Sequence, residues 1–195
     1  MTKEKIKHAA IAQFAKDGYA GAALSVIAKE VGIKTPSIYA FYKSKDSLFL
    51  SAFEDVMDEH FNHIQKISNN FDHLSTEEKL RGVLERVCTY HTEEKIKTVF
   101  LNRAMLFPPD SLRDALHDIF MREEDMLSDL LTGIFKQGIE EGTIVNHRME
   151  DLLASYFCLL DGVFLQLFYY SAEAFNERVA SSWKVFWNGV SRPGT

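Results

Sequence analysis

Apolar residues recur at three- and four-residue spacing along nearly the whole chain, and the alternation expected of strands is almost absent. The pattern predicts an all-α fold of about nine helices. The first runs from about Lys3 to Lys16, with Ile6, Ala9, Ala10 and Phe14 on one stripe and Asp17-Gly18 as its stop. The second spans about Ser25 to Val31 and buries Leu24, Ile27, Ala28 and Val31, with Gly32 where a left-handed stop is needed. The third takes Thr35 as N-cap and Pro36 as first helical residue, and ends near Tyr42. The fourth starts at Asp46 with no linker before it and carries Leu48, Phe49, Phe53, Val56 and Phe61 toward Ile67. The polar stretch from Ser68 to Ser75 marks a loop, and Ser75 with Glu78 fits a capping box opening a fifth helix to about His91. A sixth helix, about Lys95 to Phe107, stops at Pro108-Pro109. A seventh runs from Asp110 or Ser111 to Glu141, with a break expected near Leu116, and Gly142 ends it. Helices eight and nine cover about Met149–Tyr170 and Ala174–Val190.

The last two helices carry large apolar faces, and each such side chain is worth roughly 1.5–3 kcal/mol when fully buried. A body of five helices does not easily cover both faces. The expectation is a homodimer in which these helices of two copies form a four-helix bundle. Tyr156, Leu160, Val163, Leu167, Trp183, Phe186 and Trp187 would lie at that interface. The competing reading is that they complete the core of one chain.

Charge changes the picture more than composition does. The chain of 195 residues has a net charge of −6, which by itself argues against an anionic partner. Residues 1–50, however, hold eight lysines, no arginine and only four acids (Glu4, Asp17, Glu30, Asp46), a net +4 that leaves −10 on the rest. A basic N-terminal module on an acidic body can bind phosphates locally while the body resists non-specific adhesion. The two cysteines, Cys88 and Cys158, lie in apolar helical patterns and read as buried reduced thiols rather than a disulfide or a redox-sensing pair. No N-terminal segment combines a basic start with an apolar run, so the expected location is the cytoplasm. The apolar stretch 152–170 is broken by Ser155, Asp161, Gly162 and Gln166, which suits a buried helix rather than a membrane span.

Helices two and three, joined by a tight glycine turn, form a device for placing one helix in the major groove of DNA. Ile38 and Tyr42 would pack inward, turning Thr35, Ser37, Tyr39, Ala40 and Lys43 to the opposite side. Thr35 and Ser37 hydroxyls can reach phosphates or base edges, and Tyr39 can bond a phosphate. Phe41 can touch sugars or a thymine methyl, and Lys43 and Lys45 suit phosphates. With no arginine available, Lys34 is the candidate for a guanine edge.

The run from Gly32 to Lys45, with the Ile27-Ala28-Lys29-Glu30 lead-in and the Phe14/Gly18 ending of helix one, resembles the helix-turn-helix signature of TetR/AcrR transcriptional regulators. The resemblance covers about residues 6–55. It implies a homodimer with a helix-turn-helix DNA-binding domain, 1–46, and a ligand-binding and dimerisation domain, 47–195. It implies repression at a palindromic operator. Ser25, Thr35, Pro36, Ser37, Tyr39, Ala40, Phe41 and Lys45 carry over as DNA contacts. Ala22 and Ala23 depart from the family pattern, standing where members often have a Thr that caps helix two; Ala40 and Phe41 also replace frequent residues.

The family's mechanism implies an effector pocket among helices four to eight. Phe61, Phe100, Met105, Phe107, Phe120, Met121, Phe157 and Phe164 are the candidate walls, with Asp161 as a polar contact or a structural residue near the dimer seam. An apolar or amphipathic effector suits them. A constitutive DNA-binding protein without ligand is the alternative, and it requires a body without a cavity. A helical metalloenzyme is a remote one: His60 and His63 share a helix face but lack further ligands, and read as exposed. Asp114-x-x-His117 occurs once where a di-iron bundle needs paired motifs. No cofactor, metal site or catalytic residue is expected.

Overall fold

The computed structural model describes residues 2–68 and 73–192. Among the described residues there are nine α-helices: α1 Thr2–Gly21, α2 Leu24–Val31, α3 Thr35–Tyr39, α4 Lys45–Ser68, α5 Thr76–Glu93, α6 Lys95–Leu106, α7 Arg113–Glu140, α8 Met149–Gln166 and α9 Ala172–Val190. A short 3-10 turn, Asp110–Leu112, precedes α7. The chain is all-α as its pattern predicts; among the described residues, extended pairing is confined to one antiparallel bridge between Ile144 and Ser191. Part of the polar stretch expected as a loop, 69–72, lies outside the described residues.

Several boundaries differ from the sequence reading for local reasons. α1 does not stop at Asp17-Gly18 but bends there, with Gly18 at φ +71°, and resumes to Gly21. Lys34, not Thr35, is the N-cap of α3, so Thr35 and Pro36 fill its first two positions. α3 ends at Tyr39, and the Phe41 and Tyr42 amides close a turn onto the Ile38 carbonyl at 2.9 and 3.0 Å. α7 runs unbroken through Leu116. α8 stops at Gln166, because α9 already starts at Ala172 with the Ser171 side chain accepting from the Ala174 amide. The capping box of α5 forms as read: the Ser75 amide donates to Glu78 at 2.8 Å, and the Glu78 amide to Ser75 Oγ at 3.3 Å.

The chain packs as two compact units. The first comprises Met1–Glu59 and Glu94–Glu123. In it α1 packs on both α2 and α6, and α3 packs on α2. Ile6, Phe14, Ile27, Ile38, Phe53 and Phe100 are buried at its centre. The second comprises His60–Glu93 and Glu124–Thr195. There α8 packs on α5 and α9, around Leu80, Leu84, Leu131, Phe135, Tyr156 and Trp183. Tyr156 satisfies its buried hydroxyl by donating to the Leu80 carbonyl at 2.6 Å. The end of α9 is tied to the segment before α8: the Val145 amide donates to Val190 at 2.8 Å, and the Arg192 amide to Thr143 at 2.9 Å.

Among the described residues, no helix is long and apolar enough to cross a membrane. The cysteine reading needs correction. Cys158 is exposed on α8, because it falls on the face of that helix turned from the core; Cys88 is half-buried, and burial pushes its thiol up to about 12.

Candidate nucleic-acid interface and ligand cavities

The turn between α2 and α3 rests on Gly32, at φ 75° and ψ 29°, whose amide closes onto the Ala28 and Lys29 carbonyls. A side chain is strained in that left-handed conformation. The Ile33 amide bonds to the Ala28 carbonyl at 2.9 Å, and this stop sends the chain into α3 at a new angle. Ile27, Ala28, Ile38 and Tyr42 are buried and fix the face that α3 turns outward. Ser25, Lys34, Pro36, Ser37, Ala40 and Lys43 are exposed, and Thr35 and Lys45 are half-buried. Tyr39 and Phe41 stand 54% and 45% exposed, two rings open to solvent at the end of one short helix. Val26 on α2 is exposed beside this surface, and its absence from the apolar stripe of α2 was the signal for it.

The lysines are not equivalent. Lys7 is buried and paired with Asp55, with Glu4 at 3.4 Å, so its charge belongs to the interior of the first unit. Lys45 opens α4 with its Nζ 4.6 Å from the Tyr19 ring centroid and 3.4 Å from the Ala20 carbonyl. Burial lowers its pKa, against the pull of Asp46. Tyr19 in turn donates to Asp46, and burial with that bond pushes its hydroxyl up to about 12. Lys34 and Lys43 face outward, as do Lys29 on α2 and Lys3, Lys5 and Lys16 on α1. Ala23 is the N-cap of α2 and provides no side-chain bond.

Two of the cavities among the described residues lie in the first unit. The larger, about 430 Å³, is lined by Phe53, Ala104, Met105, Pro108, Arg113, Leu116, His117, Phe120 and Met121. The smaller, about 340 Å³, is lined by Phe14, Gly18, Tyr19, Phe49, Phe100, Arg103, Phe107 and Pro109. The sequence-read pocket residues thus divide. Met105, Phe120 and Met121 line the larger cavity, and Phe100 and Phe107 the smaller. Arg103 and Arg113 were missed because Asp161 was the one polar wall residue considered, and His117 was weighed only as half of a metal motif. Arg103 could have been found, since it stands three residues after Phe100 and four before Phe107 on one helical face.

Residues 6–52 match the family described as bacterial regulatory proteins, tetR family. That segment is similar to the N-terminal region of TetR-family regulators. The turn between α2 and α3 falls inside the matched segment. Among relatives, YttP of Bacillus subtilis, named as an HTH-type transcriptional regulator, is 23% identical over 141 residues, which are 72% of this chain and 64% of that protein. The chain therefore spans just under two thirds of that relative, and 48% of a second, YerO of the same organism. A TetR transcription regulator from Haloarcula marismortui superposes with a TM-score of 0.80 at 18% identity, covering 98% of each chain. FadR from Bacillus subtilis, solved in complex with stearoyl-CoA, gives 0.76 at 19% identity, covering 95% of this chain and 98% of that one. At these identities the structural likeness is one of fold.

The remaining candidates lie in the second unit. Phe61 and Phe157 pack against its core, and the Phe164 ring lies tilted 4.5 Å from His91 and edge-on 6.4 Å from Phe168. Asp161 is exposed, with its pKa raised by partial burial. Tyr156, Leu160, Val163 and Trp183 are buried within one chain, and Leu167, Phe186 and Trp187 are half-buried against the same core. The expectation of exposed histidines is overturned. His60 and His63 have buried Nε2 atoms, and their rings lie 4.9 and 5.6 Å from Tyr90. His91 stands 4.9 Å from His60. Burial, with neighbouring imidazoles second, pushes His60 down to about 4 and His91 down to about 2. The cause is that α5 presents Tyr90 and His91 against this turn of α4, which helix periodicity in α4 alone does not reveal. Among the described residues, no three His, Cys, Asp or Glu side chains are arranged to hold a metal ion.

Proposed function

We propose that this TetR-family regulator binds a palindromic operator as a homodimer and represses transcription until an apolar or amphipathic effector releases it. Residues 1–46 serve as the DNA-reading part and 47–195 as the effector and dimer part. The exposed face of α2, the glycine turn and α3 carries the reading: Ser25, Lys34, Pro36, Ser37, Tyr39, Ala40, Phe41 and Lys43 converge there, with Thr35 and Lys45 at its edge. Lys43 supplies phosphate attraction and Tyr39 a phosphate bond, while Lys34 and Phe41 supply the groove contacts.

The cavity of about 430 Å³ between α4, α6 and α7 supports ligand response over a constitutive regulator. Its apolar wall with Arg113 and His117 at the rim suits an apolar tail with an anionic head. The stearoyl-CoA of the structurally similar FadR is a ligand of that class. Because Tyr156, Leu160, Val163 and Trp183 serve the core of one chain, the surface available to a second copy on α8 and α9 is carried by Ala154, Ser155, Cys158, Leu165 and Val185. Val185 is 74% exposed, a cost for a free surface and a gain for a covered one. Half-sites for such dimers lie about 34–36 Å apart, so an effector that alters the separation of the two α3 helices by a few ångströms misregisters one of them. It does so only by binding the released state better.

Genome-wide footprinting of the protein identifies the operator, and fluorescence anisotropy on that duplex tests the contacts. Lys43→Ala should weaken operator and random DNA alike and reduce the salt slope by about one. Lys45→Ala should change it less, given its place over Tyr19. Absence of any footprint, or a salt slope unmoved by Lys43→Ala, refutes the assignment of this face. Light scattering that reports a monomer at micromolar concentration refutes the dimer.

A further inference from the structure

The smaller cavity of the first unit has a chemistry that the apolar effector reading does not use. Five of its eight lining residues are aromatic: Phe14, Tyr19, Phe49, Phe100 and Phe107. Phe49 meets Phe14 and Phe100 edge-on, with centroids 4.8 and 5.2 Å apart, so the rings form a fixed wall rather than a loose one. One lining residue is charged. Arg103 reaches from α6 to the bend of α1, where a Cβ on Gly18 would come within 3.1 Å of its Nη1. The left-handed glycine therefore makes the room in which this guanidinium lies.

Arg103 has no ion-pair partner among the described residues, whereas Arg113 at the rim of the larger cavity is bonded to Asp110 at 3.0 Å. The carboxylates of α1 and α4 on this side are engaged: Asp17 accepts from Gln13, and Asp46 from Tyr19. The cavity thus offers an exposed planar cation at the edge of an aromatic wall. Its volume of about 340 Å³ is at the small end for ligand sites.

We propose that this cavity is a second ligand site, selective for a planar aromatic carboxylate, with Arg103 holding the carboxylate and Phe14, Phe49 and Phe100 holding the ring. A carboxylate matches the guanidinium fork with two parallel bonds, and a monoanion leaves the apolar wall at less desolvation cost than a phosphate. The occupant bridges α1 and α6, the two helices whose packing supports α2 and α3 in this unit. The site goes beyond the effector reading and does not depend on it, because it stands on the geometry of one unit.

Titration calorimetry on the full chain with 2-naphthoate tests it. One equivalent should bind per chain. The neutral isostere 2-naphthamide should bind about tenfold or more weaker, and Arg103→Gln should lose naphthoate by a similar factor, since a bond to a charged group is lost in each case. Phe107, 80% exposed, can be truncated without opening the core, and Phe107→Ala should also weaken naphthoate. Arg113→Gln should leave it unchanged. No binding of naphthoate at millimolar concentration, equal binding of acid and amide, undiminished binding in Arg103→Gln, or an equal loss in Arg113→Gln would each overturn the proposal.

Discussion

Two glycines five residues apart on α7 should respond in opposite directions to the same substitution. Gly133 is exposed, and a Cβ built there meets nothing within 4 Å. Gly133→Ala therefore gains only the helix-propensity difference, about 1 kcal/mol. Gly138 is buried, and its Cβ would fall 2.7 Å from Thr76 Cγ2 and 2.8 Å from Ile144 Cδ1. Carbon pairs settle near 3.5–4.0 Å, so both neighbours must retreat by roughly 1 Å. Neither does so freely. Thr76 and Ile144 are buried, and the Thr143 and Ile144 amides are bonded to the Gly138 carbonyl at 2.9 and 3.0 Å. Overpacking of this kind costs about 1–3 kcal/mol. Set against the same propensity gain, Gly138→Ala should be destabilising by up to about 2 kcal/mol, and the two variants should differ by about 1–3 kcal/mol because propensity cancels. Urea unfolding followed by tryptophan fluorescence reads this directly, since Trp183 and Trp187 both report on the second unit. A Gly138→Ala protein as stable as Gly133→Ala, with unchanged urea dependence, would refute the close-packing argument.

Three further outcomes follow from single features. Ala23→Ser supplies the missing cap of α2 and should stabilise the protein by about 1 kcal/mol, or about 2–4 °C in melting temperature; an unchanged melt would show that the α2 start is satisfied otherwise. His60 is held neutral in the fold, with its pKa lowered from 6.5 to about 4, so the unfolded chain takes up the proton first and stability should fall as pH drops from about 6.5 toward 4. His60→Gln should flatten that limb in pH-dependent urea titrations, and a limb of unchanged steepness would rule His60 out. Glu123 behaves with the opposite sign. It is 5% exposed, and burial, then Asp58, raise its carboxyl from 4.5 to about 7 against Arg122. The folded state keeps this proton, so stability should fall as pH rises from about 4.5 to 7, and Glu123→Gln should remove the fall; a variant that still loses stability over that interval refutes the assignment.

Periodicity made the helices legible because nearly every one buries a single stripe against one neighbour. It located α4 through α9 to within a few residues, and Ser75 with Glu78 marked the start of α5 by its own chemistry. Errors fell where the decisive partner is distant in sequence. The bend at Gly18 is not a stop because α1 still has α2 to pack on after it. His60 and His63 looked like one polar face of α4 until α5 supplied Tyr90 and His91. Tyr156 and Trp183 looked surplus to one chain because counting apolar faces ignores that both enter one core shared by α5, α7, α8 and α9. For the outward face of α3 the inward anchors Ile38 and Tyr42 were sufficient, since two buried positions four apart fix the rest of a short helix. The cavities were legible only as a list of aromatic residues, because which side chains share a void depends on helix crossings that no spacing encodes.

The unequal cysteines turn the chain into its own reporter. Cys88 sits half-buried with a thiol that stays protonated far above neutral pH, whereas Cys158 lies open on the outer face of α8. Thiolate chemistry at neutral pH should therefore select Cys158 without removing the other cysteine. A nitroxide or fluorophore placed there tags the surface proposed to meet a second copy. The unaltered sequence then measures its own association, by spin–spin distance or energy transfer, and reports whether DNA or a small molecule changes it.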